Sequence, residues 1–171
     1  MSNSTAPNSA APNNRASKST VSIRIEATAL PGRNCAPAPG FPGYDDIHVG
    51  VQRRGRPGEL LDPVPGDAEH AVWTLECTAK GTDLLGPYVQ GGPGARFVYL
   101  SWVAGGPDGS TLFRRAKLML DGIGRETAVA AVRGGLLLAR LGLTDALGHP
   151  LCAAVRPPLV TWSAGERPGA A

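Results

Sequence analysis

The chain has 171 residues, 42% of them hydrophobic and 18% charged, which suits one folded domain and is too apolar for a wholly disordered chain. Its formal charge of +3 first suggests a nucleic acid or an anionic membrane as partner. Arg15 and Lys18 fall in the first 20 residues, where there is no acid, so the rest carries 15 basic against 14 acidic side chains and is close to neutral. Nucleic acid is therefore an unlikely partner on charge.

Residues 1–20 are mostly Ser, Asn, Ala, Pro and Thr, with no large apolar side chain after Met1, and read as a disordered tail. The tail has no apolar stretch of the secretory type, and no apolar run in the chain approaches the length of a membrane span. Cys35, Cys77 and Cys152 are far apart, and His48, His70 and His149 form no ligand-spaced pair. Neither a disulfide framework nor a metal site is expected, no cofactor motif is present, and a reducing, cytoplasmic location fits best.

From Val21 the pattern changes to strict alternation, Val21, Ile23, Ile25 and Ala27 against Ser22, Arg24, Glu26 and Thr28, which predicts the first strand. A Pro- and Gly-rich loop runs from Leu30 to Asp46, followed by a second strand over Ile47–Gln52 that ends in Arg53, Arg54 and Arg56. Another turn-rich connection passes through Pro63–Asp67. Trp73, Leu75 and Cys77 alternate with Thr74, Glu76 and Thr78 as a third strand. Leu84–Gly94 reads as a short extended piece and a turn, and Arg96–Val103 as a strand dense in aromatics.

After a hairpin-type loop over Ala104–Gly109, Thr111–Leu120 reads as a strand whose core face is not evident from its pattern. The one convincing helix covers Gly124–Arg133, with Asp121 as a cap candidate and Gly134 as its stop. Leu137–Asp145 and Leu151–Arg156 resemble hairpin arms around a turn at Asp145–Gly148, with Val160–Trp162 as an extension. The expectation is mainly β: an antiparallel sandwich or open barrel of seven to nine short strands with one short helix, over residues 21–163. The competing reading is an α+β sheet with the helix on one face, and residues 164–171 are expected to be disordered.

Motifs for phosphate cradles, nucleophile elbows, zinc proteases and dinucleotide binding are missing. Gly91-Gly-Pro-Gly94 lacks the Lys-Ser/Thr of a phosphate loop and reads as a turn. Catalytic residues remain unknown; the weak candidates are Asp45 and His48, because a carboxylate beside an imidazole can orient it and raise its basicity. The bland account is a solvated turn followed by an outward strand histidine.

Tyr88, Gln90, Arg96 and Tyr99 with Arg115 and Lys117 form the ligand-binding candidates: aromatics for a wall, paired cations for a carboxylate or phosphate. Against this stand core packing for the aromatics and a charged sheet edge for Arg115 and Lys117. The first functional expectation is a non-enzymatic binding or accessory module for a small anionic ligand or a protein partner. The second is a small cup- or barrel-type enzyme, a cyclase, isomerase or hydrolase of bacterial secondary metabolism, and the third an RNA- or ribosome-associated protein.

Three stretches, His48–Arg54, Gly86–Gly91 continuing into Arg96–Trp102, and Phe113–Leu120, together resemble an actinobacterial family of small proteins known as a domain of unknown function. Leu141–Ala146 and Val155–Pro158 also fit, so the resemblance covers most of residues 21–163. The excess of Arg over Lys, 14 to 3, beside many Ala, Gly and Pro, agrees with a GC-rich coding sequence. The resemblance implies a bacterial cytoplasmic origin and assigns no activity to any residue.

Overall fold

The computed structural model describes residues 18–28, 46–65, 70–105, 111–142 and 159–168. In chain order these form β1 (Ser19–Thr28), β2 (Asp46–Arg53), β3 (Arg56–Leu61), β4 (Val64–Pro65), β5 (His70–Lys80), β6 (Asp83–Leu85), β7 (Val89–Gln90), β8 (Phe97–Gly105) and β9 (Thr111–Met119). Then follow α1 (Arg125–Gly134), β10 (Gly135–Gly142) and β11 (Val160–Glu166). The fold is mainly β, two curled sheets with one short helix, as the alternating patterns predict. Eleven strands are described rather than seven to nine, the added ones being the short β4, β6 and β7 and the Pro-containing β3.

The first sheet runs β11-β10-β1-β5-β4, with β6 also on β5, and the second runs β3-β2-β8-β7, with β9 on β8. All pairings are antiparallel except β1 with β10, where Ser22 to Thr28 run beside Leu136 to Gly142. β10 is thus a central strand between β1 and β11. The hairpin expected around Asp145–Gly148, with its second arm at Leu151–Arg156, lies outside the described residues, as do residues 1–17 of the tail, the loop at 29–45 and the loop at 106–110. β11 continues through Glu166, three residues beyond the expected boundary at Ser163.

Period-two alternation explains the core. Val21, Ile23, Ile25 and Ala27 of β1 face inward beside Cys77, Leu75, Trp73 and Ala71 of β5, their register partners, and beside Leu137, Ala139 and Leu141 of β10. The second sheet contributes Val51, Val89, Val98, Leu100, Ala116 and Leu118. On β9 this identifies the inward face as Ala116 and Leu118, continued by Leu120, and leaves Arg115, Lys117 and Met119 outside. Each fully buried large aliphatic side chain stabilises the domain by roughly 1.5–3 kcal/mol relative to exposure.

Trp73 joins the two sheets: its ring is fully buried, and its indole N–H donates to the Leu61 carbonyl at 2.9 Å. The helix α1 packs on β10 and β11. It starts at Gly124 without a side-chain cap, and it stops at Gly135, whose φ of 74° puts it in the left-handed region. Asp121 takes another role, accepting the Arg96 backbone N–H, and the stop falls one residue later than Gly134.

Candidate functional site

The outer face of the second sheet brings together part of the predicted set. The register places Tyr99 opposite Lys117, Ser101 opposite Arg115 and Phe97 opposite both Met119 and Gln90. Strand alternation then points Phe97, Tyr99, Ser101, Arg115 and Lys117 to the same side. Phe97 and Tyr99 meet edge to face, with ring centroids 4.7 Å apart and planes at 67°. The Arg115 guanidinium carbon lies 4.9 Å from the Tyr99 centroid, and Lys117 Nζ lies 4.7 Å from the Phe97 centroid and 5.9 Å from that of Tyr99.

These are cation–π distances, so the rings hold two cations side by side. Both cationic side chains are exposed and both rings half-buried. Among the described residues, no carboxylate lies within ion-pairing distance of Lys117. The turn at Gly91–Gly94 braces the cluster: Gly91 has φ 79°, and an added Cβ would strike the Ala95 carbonyl and crowd the Phe97 ring. The Ala95 N–H donates to the Gly92 carbonyl at 3.0 Å, which is turn geometry.

Behind the rings lie two buried polar side chains that sequence reasoning missed. Gln52 is 4% exposed and Ser101 0%, and the Ser101 hydroxyl donates to Gln52 Oε1 at 3.3 Å. Gln90 reaches the same strand, its Nε2 donating to the Gln52 carbonyl at 3.4 Å. The sequence signal was the polar residue next to Val51 on a strand whose neighbour β8 carries Tyr99 and Ser101; it becomes readable only once β2 and β8 are known to pair.

Arg96 and Tyr88 stand apart from this cluster. Arg96 has the parity of Val98 and Leu100, points inward and is 7% exposed. Its guanidinium pairs with Asp83 at 2.8 Å, its backbone N–H donates to the Asp121 carboxylate, and its carbonyl accepts the Leu120 N–H at 2.9 Å. It ties β6, β8 and the turn before α1 together. Beside it Leu84, Leu120, Ile123, Ala128, Ala131 and Leu137 help line a cavity of about 30 Å³, enough for water and too small for an organic ligand. Tyr88 is half-buried against the core.

His48 lies on β2 with its backbone opposite Val103, and its placement is known by the backbone alone. Asp45, the other member of the expected acid/base pair, lies outside the described residues. Arg53 and Arg56 both pair with Glu59, at 3.3 and 2.6 Å, across the β2–β3 turn. Cys77 is buried, and loss of solvent, reinforced by the neighbouring Glu76 charge, pushes its thiol up to about 12. No group of three or more metal-capable side chains occurs among the described residues, and no helix there is long and apolar enough to cross a membrane.

What the cluster can do chemically is hold an anion: an ammonium with three donors and a guanidinium with five, fixed over aromatic rings on a rigid two-strand ladder. Neither the curated proteins nor the solved structures include a match to the chain. A family model described as a family of unknown function (DUF5990) matches residues 21–165, from Val21 in β1 to Gly165 in β11, and the chain therefore belongs to that family.

Proposed function

We propose that the protein is a non-enzymatic binding module that takes a small anionic ligand on the outer face of its second sheet, in the cytoplasm of an actinobacterial-type cell. The observation that carries this reading is the pair Arg115 and Lys117 held over Phe97 and Tyr99. Rings fix the two cations in place, so less side-chain entropy is lost when an anion arrives. Gln90, at the edge of the same face, supplies an amide. Arg96 and Tyr88 then belong to the framework under the site.

Titration of the full chain with acetate, benzoate and inorganic phosphate, followed by amide chemical shifts, tests this. Saturable shifts are expected at Phe97–Ser101 and Arg115–Met119, and they should vanish in the Arg115→Gln/Lys117→Gln double variant. If no anion of the three gives a saturable shift on this face, the reading fails.

A further inference from the structure

We infer that the tip of the β2–β3 hairpin is a docking surface for double-stranded DNA, entering the major groove with Arg53, Arg54 and Arg56 on the phosphates. This goes beyond the anion-binding reading above and does not depend on it. The three arginines fall within four residues around a turn at Arg54 and Gly55, and all three are exposed. Arg53 and Arg56 are register partners across that turn, so two like charges stand directly opposite, an arrangement that weakens a strand pair. Glu59 answers both, at 3.3 and 2.6 Å. Arg54 has no carboxylate within ion-pairing distance among the described residues. Three cations thus face one carboxylate, a local surplus that the near-neutral balance of the whole chain conceals.

The shape of the tip says what kind of partner fits. Every residue from Arg53 to Glu59 is exposed, and a Cβ added at Gly55 or Gly58 would meet nothing within 4 Å. The tip is convex, whereas sites for small molecules are concave. Its base is held in place, because the Arg54 backbone N–H donates to the Pro87 carbonyl at 2.8 Å. The neighbouring stretch 86–90 has no acidic side chain to repel an anionic partner.

A convex, cationic tip is the complement of a concave, anionic groove. The major groove of B-form DNA, about 12 Å wide, admits a two-stranded β-ribbon, and its rims are lined with phosphates that guanidinium forks bind. The major groove of duplex RNA is too narrow for side chains to enter. Residues 53–59 include no aromatic ring on which unpaired bases could stack, and no large aliphatic or aromatic side chain to enter a membrane.

The test is a fluorescence-anisotropy titration of the full chain against a labelled DNA duplex of mixed sequence, over a range of salt concentrations. Duplex RNA, poly-glutamate and phosphatidylglycerol vesicles serve as competitors. Log affinity is expected to fall against log salt with a slope of about −2.7, three phosphate contacts at about −0.9 each. Arg54→Gln should weaken binding about tenfold at low salt and make that slope shallower by about 0.9. Glu59→Gln should act in the opposite direction and tighten binding, because it releases Arg53 and Arg56. Amide shifts caused by the DNA should fall on Arg53–Glu59. Absence of binding at low salt, unchanged affinity in Arg54→Gln, or shifts confined to Arg115–Met119 would overturn the hairpin as the docking surface. A competitor that binds more tightly than the DNA would overturn the choice of partner. Should a variant fail to fold, the wild-type shifts and the ranking of competitors decide.

Discussion

The outer faces of the two sheets use their charges differently. On the first sheet, Glu26 receives Arg24 at 2.9 Å and Arg140 at 3.1 Å, and Glu76 receives Arg167 at 3.3 Å and the Ser22 hydroxyl at 2.8 Å. These ion pairs cross three strands, β10, β1 and β5, and close the face upon itself. On the second sheet Arg53 and Arg56 share Glu59, but along β9 Arg115 and Lys117 lie over aromatic rings, and Lys117 meets no carboxylate among the described residues. A charge compensated by its neighbours stabilises what is already folded, while one held over a ring keeps its field for something that arrives from solution.

The comparison breaks most completely if the sheets lose their connection. Trp73→Ala removes the one large ring whose indole bonds β5 to Leu61 of β3, and should cost about 3–5 kcal/mol in urea unfolding, with both faces failing in a single transition. It sharpens if the faces are altered one at a time. Lys117→Gln should lower benzoate affinity by about tenfold and change stability by less than about 0.5 kcal/mol. Arg24→Gln with Arg140→Gln should do the reverse, leaving affinity unchanged and reducing stability modestly, as exposed pairs do.

A smaller effect concerns pH. Burial works against ionising Glu26, but hydrogen bonds from Arg140 and Arg24 outweigh it and hold the carboxyl below its ordinary value of 4.5. Its contribution is therefore present above that value and is lost as pH falls through the lowered one. In Glu26→Gln the fall in melting temperature between pH 6 and about pH 3 should be shallower than in the wild type. The smallest effect expected is at Cys77: with its thiol raised to about 12, alkylation at pH 8 should proceed only through opening of the fold and slow with every stabilising condition.

The long strands were legible because both faces of each are chemically distinct. β1 and β5 alternate apolar with polar over many residues, and β8 is dense in aromatic and β-branched residues that favour strands. β3 and β4 were not, since Pro57, Gly58, Pro63 and Pro65 describe turns; β3 exists because β2 offers an edge, and edge strands tolerate Pro where central ones do not. The parallel pairing of β10 with β1 is a contact no local pattern encodes. Within the site, residue parity already separates Arg96 from Tyr99 and Arg115 from Ala116, whereas the burial of Gln52 depends on which strands meet.

The parallel contact bears on how the chain is made. β1 leaves the ribosome first, and β5 reaches it soon after, but its other edge must wait for β10, with Ser22 finding Leu136 only when nearly the whole domain has emerged. At about 5–20 residues per second that is an interval of several seconds in which a strand with a fully buried apolar face has an open edge. The charged Arg24 and Glu26 on its outer face discourage other nascent chains from joining it during that delay. β1, although early in the chain, is thus enclosed on both edges only after β10 has been made.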